Sequence, residues 1–386
     1  MVRIARLRLL WLAALLILGL TSANRAAAGP FTNIVVFGDS LSDIGNVSQA
    51  TPFLTQPKTP GPYYWNGRFS NGPVYAETLA TGLGLPALTR STATGGTDYA
   101  YGGAMTTGTD FFTGLVVKDI DKQVDSYVSS HNGTANTLYV VLAGANDLIN
   151  GQTNMSVPVG SLQTSMEKLY TDGARQFLVI NLPPLGYTPR YNGSQSTITT
   201  YNTRSQQYNT ALATMLTGLK SAHPTIALSQ LDIFSLMSDA RANPALYGLT
   251  NVTSSAAPGL SPGTTSYNTS QIVPNPNQYL FWDDLHPTAG VHLFLGHRAL
   301  DLFFPPGDYN RNVASDASDY IAYRKGLGTV YAPIDYNIWQ AHYGQTTPGG
   351  SGSGAAGFAS TVPEPGGIVI WLALCLLPPV RNRRFR

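Results

Sequence analysis

The chain has 386 residues, 43% hydrophobic and 11% charged, with a formal net charge of +2. That is ample apolar material for a core, in one large domain or two smaller ones. Eight of its arginines sit at the two ends (Arg3, Arg6, Arg8 and Arg25; Arg381, Arg383, Arg384 and Arg386), and without them and Glu364 the body keeps 15 basic and 20 acidic residues. A body that is net negative by five and has no basic stripe excludes nucleic acid as a partner.

Residues 1–28 read as a secretory signal peptide: basic Arg3, Arg6 and Arg8, an apolar run Leu9–Leu20, and Ala26-Ala-Ala28 before Gly29. The run is about half of the ~20 residues that a spanning helix needs. Asn33-Ile-Val-Val-Phe-Gly38 is a short β-branched apolar stretch, predicted to be a buried strand. A Gly-, Pro- and Asn-rich loop is predicted over 46–72, and a helix over 73–80 with Pro73 near its first position. Residues 99–104 read as a short strand or strand end.

Val117, Ile120, Val124, Tyr127 and Val128 recur at helical spacing, which predicts an amphipathic helix over 118–130. Strands at 137–142, 176–182 and 225–231 then alternate with helices at 159–171 and 197–222. A long Ser-, Thr-, Asn-, Pro- and Gly-rich loop follows over 248–278, and a last helix over 288–304. Strand alternating with helix predicts an α/β fold whose mostly parallel sheet is covered on both faces. In such sheets the site lies outside the carboxyl ends of the strands.

Four blocks fall at or near those ends: Phe37-Gly-Asp-Ser-Leu-Ser-Asp43, Asp98-Tyr-Ala-Tyr-Gly-Gly103-Ala, Gly144-Ala-Asn-Asp147 and Asp283-Asp-Leu-His-Pro287. A serine hydroxyl is a weak nucleophile until a base takes its proton, an imidazole can be that base, and a carboxylate can orient the imidazole. Taken singly, Ser40 also suits a helix N-cap, and Asn146 and Asp147 suit a turn or a cap. Asp39 and Asp43 read as residues that shape their loop. His292 and His297, five apart on the last helix, do not share a face as a metal pair and read as surface or core histidines. Tyr63, Tyr64 and Trp65 suit either an acyl or sugar pocket near Ser40 or packing onto their own domain.

The four blocks in this order, with Gly67-Arg-Phe-Ser-Asn-Gly-Pro73 between the first two, resemble the GDSL (SGNH) hydrolases over roughly residues 31–304. The resemblance implies a three-layer, flavodoxin-like parallel sheet flanked by helices over 29–306, and a serine ester hydrolase with no cofactor in its catalytic site. It implies Ser40 as nucleophile, His286 as base, and Asp283, chosen over Asp284 by the family's spacing, as the orienting acid. Its oxyanion hole would be the Ser40 N–H, the Gly103 N–H and the Asn146 amide. Lipid or other acyl esters are the expected substrates. A polysaccharide O-acetylesterase and a catalytically inactive surface or matrix protein are the alternatives, and the complete residue set disfavours inactivity.

After this body, Asp308, Asn310, Asn312, Asp316 and Asp319 stand at positions 1, 3, 5, 9 and 12 of a loop in which Ala314 would offer a carbonyl at position 7. This is the spacing of a calcium loop, with Val313 where the turn usually has glycine and a short Asp at position 12. With a helix over 320–327 it resembles half of a type I dockerin repeat, and residues 333–343 a degraded second half. The resemblance implies a small helical calcium module over 307–345 and a cohesin-like partner.

A Gly/Ser linker over 346–361 leads to Val362-Pro-Glu-Pro-Gly-Gly367, an apolar run Ile368–Leu377 and the arginine-rich end. That order resembles the PEP-CTERM sorting signal. It implies transient inner-membrane anchoring by a transmembrane segment in 362–386, removal by an exosortase-type enzyme, and a final place at the cell surface or in the matrix. The single cysteine, Cys375, lies in this apolar run, so no intrachain disulfide or thiolate metal site is available.

Overall fold

The computed structural model describes residues 31–50, 61–108, 116–264 and 266–346. The expected signal peptide and sorting signal, and the linker beyond residue 346, lie outside them. Among the described residues no helix is long and apolar enough to cross a membrane.

Strands β1 (Asn33–Gly38), β2 (Thr137–Leu142), β3 (Gln176–Ile180) and β4 (Ala227–Leu231) lie side by side in that order, all parallel. On the free side of β1, Val36 N–H donates to Thr97 O, and Tyr99 N–H to Val36 O, both at 2.8 Å. Tyr101 N–H reaches Gly38 O at 3.1 Å, so residues 97–101 act as a further parallel edge. In chain order this is 2-1-3-4-5, the flavodoxin-like arrangement. Every residue of β2 is buried, whereas β4, at the opposite edge, is partly exposed.

Strand side chains alternate between the two faces. Ile34, Val36, Leu138, Val140, Leu142, Leu178 and Ile180 face one side and pack with helices α2 (Tyr75–Gly82), α7 (Ile233–Ala242) and α8 (Ala289–Leu300). Val35, Phe37, Tyr139, Val141, Phe177 and Val179 face the other and pack with α3 (Ile120–Val128), α5 (Ser156–Asp172) and α6 (Gln195–Ala222). This is the expected three-layer α/β fold.

The expected helices form with bounds shifted by a few residues. Local chemistry explains several ends. Ser194 Oγ accepts Thr197 N–H at 3.2 Å to start the 28-residue α6, and Asp232 Oδ1 accepts Ser235 N–H at 3.1 Å to start α7. Such caps are worth about 1 kcal/mol each. Helix α2 begins at Tyr75 rather than Pro73, with Val74 N–H held by Glu77 Oε2 at 2.9 Å.

Two stretches expected to be wholly loop contain structure. Residues 46–50 form a short helix, α1 (Asn46–Ala50), and β5 (Asn251–Ser255) pairs in parallel with β6 (Tyr279–Phe281) in a second sheet. Helix α7 answers to no expectation. A short helix α4 (Ala145–Ile149) follows β2. His292 and His297 are both core residues of α8, and burial lowers each to about 3.

Beyond α8 the chain folds into α9 (Ala317–Gly326) and α10 (Pro333–His342) around Tyr309, Tyr323 and Trp339. This unit is joined to α8 by buried Arg298, whose Nη2 lies 2.6 Å from Asp335 Oδ1 and whose Nη1 lies 3.1 Å from Asp301 Oδ2.

Candidate active site

Strand β1 ends in a fixed turn. The Gln123 side chain clamps its last residue, accepting Gly38 N–H at 2.9 Å and donating to Gly38 O at 2.8 Å. Asp39 O then accepts the N–H groups of Ser42 and Asp43 at 3.0 Å, and Asp39 Oδ1 accepts Leu41 N–H at 3.0 Å. A Cβ on Gly38 would meet Ser42 Oγ at 2.8 Å and Leu142 O at 3.1 Å, so the turn needs glycine there. Asp43 accepts four backbone N–H groups, from Gly45, Asn46, Val47 and Gly102. Asp39 and Asp43 therefore shape the loop, as expected; burial pushes each carboxyl up to about 6 against these donors.

The turn holds Ser40 with Oγ 2.9 Å from His286 Nε2. His286 follows β6 in a turn closed by Trp282 N–H on His286 O at 2.7 Å. Asp283 Oδ1 accepts Leu285 N–H at 2.8 Å and His286 N–H at 2.6 Å, while Oδ2 lies 2.7 Å from His286 Nδ1. The partners assign the tautomer: Nδ1–H faces the carboxylate, which leaves the Nε2 lone pair for the Ser40 hydroxyl. Burial alone would raise the Asp283 carboxyl. Attraction to the imidazolium form of His286, the ring Nδ1–H and backbone N–H of that residue, and the Tyr64 hydroxyl outweigh this and hold it below its ordinary value.

The Phe69 ring packs on the imidazole at a centroid distance of 5.2 Å, and a Cβ on Gly102 would come within 2.1 Å of that ring. Asp284, the rejected neighbour, turns away to Arg190.

The other two blocks are stitched together. Asn146 Nδ2 donates to Ala104 O at 2.9 Å, and Asp147 accepts Thr106 N–H at 3.0 Å and Thr106 Oγ1–H at 2.7 Å. Asp147 is thus a brace between blocks rather than a helix cap. Gly144 precedes them at φ 111°, and a Cβ there would fall 2.3 Å from Tyr208 Cζ. Gly103 sits at φ 81°, in the left-handed region that glycine enters without strain. Among the described residues the N–H groups of Ser40 and Gly103 carry no hydrogen bond, and Asn146 Nδ2 keeps a second hydrogen beyond the one given to Ala104.

Three residues of this neighbourhood are absent from the sequence reading or have another role in it. Gln123 and Arg190 act over long sequence separations with no local signal. Tyr64, read as pocket or packing, donates its hydroxyl to Asp283 Oδ2 at 2.6 Å. Its neighbour Tyr63 bonds Tyr267 N–H, and Trp65 is exposed and stacked by Arg68.

In the loop at 308–319, Asp308 Oδ1 and Oδ2 accept the N–H groups of Asn312 and Val313 at 3.0 and 2.9 Å. Val313 adopts φ 71°, the left-handed turn that glycine usually supplies. Asp319 accepts Asn310 and Asp316 N–H and is pushed up to about 6, first by burial and then by the charges of Asp308 and Asp316. Among the described residues no group of three or more His, Cys, Asp or Glu side chains is arranged to hold a metal ion. The donor set would have to be completed by Asn310, Asn312 and the Ala314 carbonyl. All of these are hard oxygen donors, which suit calcium.

Comparison with known proteins gives a consistent set of relatives. The family model described as GDSL-like Lipase/Acylhydrolase matches residues 34–299. A GDSL esterase/lipase of Arabidopsis thaliana is 27% identical over 71% of this chain and 89% of its own length. A second is 29% identical over 69% of this chain and 80% of its own. The thermolabile hemolysin of Vibrio parahaemolyticus is 25% identical over 72% of this chain and 66% of its own length. Among solved structures, a member of the lipolytic G-D-S-L family from Veillonella parvula aligns over 70% of this chain and 98% of its own, with 12% identity and a TM-score of 0.39.

Proposed function

Since the chain belongs to the family of GDSL-like lipases and acylhydrolases and is an ester hydrolase, we propose that Ser40 is its nucleophile, His286 its general base and acid, and Asp283 the group that orients His286. Ser40 Oγ attacks the ester carbonyl carbon while its proton passes to His286 Nε2. The carbonyl oxygen becomes an oxyanion, received by the Ser40 N–H, the Gly103 N–H and the Asn146 amide. The C–O bond to the alcohol breaks, and the alcohol leaves with the proton from Nε2, giving an acyl-serine. Water then attacks the acyl carbon, losing its proton to the same nitrogen, and Ser40 leaves with that proton as the acid is released. Through both steps Asp283 balances the imidazolium.

The observation that carries these roles is the unbroken line from Ser40 Oγ through the two ring nitrogens of His286 to Asp283 Oδ2, at 2.9 and 2.7 Å. The test is mass detection of a phosphonate adduct on Ser40, with hydrolysis of p-nitrophenyl esters by the parent and by Ser40→Ala. Equal rates for the two proteins would remove the assignment.

Acyl esters of lipid type are the proposed substrates, a class supported by the esterase/lipase relatives. Rates on p-nitrophenyl esters from acetate to palmitate test it. Turnover confined to acetate would move the substrate to O-acetyl groups on polysaccharide.

The ends of the chain are proposed to direct export and sorting: residues 1–28 as a cleaved signal peptide, and residues 362–386 as a transient inner-membrane anchor cut by an exosortase-type enzyme. Fractionation of expressing cells, with sequencing of the new N-terminus, tests this; an uncut protein in the cytoplasm would overturn it. The loop 308–319 is proposed to take one calcium ion through Asp308, Asn310, Asn312, Ala314, Asp316 and Asp319, which would favour a cohesin-like partner for α9 and α10. Its expected signature is a rise in the unfolding temperature of the full chain with calcium but not with EDTA, lost in Asp308→Ala.

A further inference from the structure

The geometry points to Tyr64 as a positioning residue for the hydrolysis: by donating to the same Asp283 oxygen that accepts the hydrogen bond from His286 Nδ1–H, its hydroxyl fixes that carboxylate and moderates its pull on the imidazole. This deepens the assignment of Asp283 and His286 above and rests on it.

Asp283 is fully buried and receives four hydrogen bonds. Two come from backbone N–H groups of its own turn and one from His286. The fourth, at 2.6 Å, comes from Tyr64, 219 positions earlier, and is the one that a side-chain change can remove without touching the catalytic groups. The Tyr64 ring is buried among Ala256, Ala257, Leu260 and Trp282, so the hydroxyl is held in place from behind. Burial and the neighbouring Asp283 charge both push the phenol far above its ordinary range, which keeps it a donor.

The same stretch of chain grips the His286 turn from a second side, through the Phe69 ring and through Ser70 Oγ–H on Pro287 O at 3.0 Å. Tyr64 thus belongs to a clamp that sets both the place and the charge distribution of the Asp–His pair.

A carboxylate that accepts one bond fewer is a stronger base and holds the imidazole proton more tightly. Losing the Tyr64 hydroxyl should therefore raise the pH below which activity fails. The other charged or titratable groups nearby are Asp284 with Arg190, Asp39 and the Asp147 whose charge acts on it, and His292 on α8. All are unchanged in a Tyr64→Phe variant, so a shift reports on Tyr64.

The experiment measures kcat/KM against pH on p-nitrophenyl acetate for the full chain, Tyr64→Phe and Ser40→Ala. For Tyr64→Phe the expected result is an acid limb moved up by about half to one pH unit, kcat down about fivefold to twentyfold, and KM within about twofold. A ring-fluorinated tyrosine at position 64 keeps the shape and donates more strongly, so it should move the limb downward. A purely structural role would not produce opposite shifts. If both variants keep the parent's profile while Ser40→Ala is inactive, the role of Tyr64 is overturned and the serine assignment stands. If Ser40→Ala keeps the parent's rate, it is the underlying assignment that fails. Should Tyr64→Phe not fold, the fluorinated chain decides alone.

Discussion

Arg190 grips Asp284 with both Nε and Nη2, each at 2.9 Å, and its own N–H donates to Asp284 O at 2.8 Å. The pair is partly exposed, so it adds at most about 1 kcal/mol of stability. It does, however, separate two adjacent carboxylates by role. Asp284 is turned outward to a guanidinium, and Asp283 is left for His286. Asp283→Asn should lower kcat by about 10³–10⁴, because the amide lacks the charge that balances an imidazolium. Asp284→Asn should stay within about threefold of the parent. Steady-state hydrolysis of p-nitrophenyl acetate by the two variants checks this, and equal losses would contradict it.

Gly144 meets two constraints at once. Its φ of 111° disfavours any other residue, and a Cβ would strike buried Tyr208 at 2.3 Å. Gly144→Ala should cost about 2 kcal/mol or more in stability. It should also lower kcat more than it raises KM, since Asn146 lies two residues on. Urea unfolding and initial rates on the same preparation read both effects.

Asp39 links stability to pH. Burial raises its folded pKa to about 6 from an ordinary 3.8. The folded state thus holds a proton that the unfolded chain has released, and the stability this provides is present below about pH 4 and lost as pH rises through about 6. Asp39→Asn keeps an oxygen for Leu41 N–H and never ionises. It should match the parent near pH 4 and exceed it near pH 7 by about 2–3 kcal/mol. Urea unfolding at the two pH values decides the matter. A gap of the same size at both would be against it.

Arg298 is buried between Asp301 and Asp335. Arg298→Met should destabilise the protein by about 3–5 kcal/mol, because it strands two carboxylates. Adding Asp335→Asn should recover part of that loss. Chemical unfolding of the single and double variants tests the coupling.

The parts of the fold that could be read from sequence are those whose signal is local. After their first residues, Asn33 and Thr137, the strands Asn33–Gly38 and Thr137–Leu142 carry unbroken apolar runs because both faces of the sheet are covered. Helix α3 shows Ile120, Val124 and Tyr127 at helical spacing. What escaped depends on distant pairing. Strand β5, Asn-Val-Thr-Ser-Ser, has little apolar content and exists because Tyr279–Phe281 lies beside it. Helix α7 does carry a local sign, Asp232 capping before Ile233, Met237 and Ala240, yet it follows β4 so closely that no loop marks its start.

The site divides in the same way. Ser40, Asp283 and His286 stand in short blocks whose residue types declare their chemistry. Nothing beside Tyr64, Gln123 or Arg190 tells that their side chains reach Asp283, Gly38 and Asp284, each 85 or more positions away.

Ser40 and its imidazole partner are 246 positions apart. A polypeptide leaving the ribosome therefore carries a harmless hydroxyl through most of its synthesis. On the roles proposed above, it gains the power to cut esters only when the segment after β6 has come beside the end of β1.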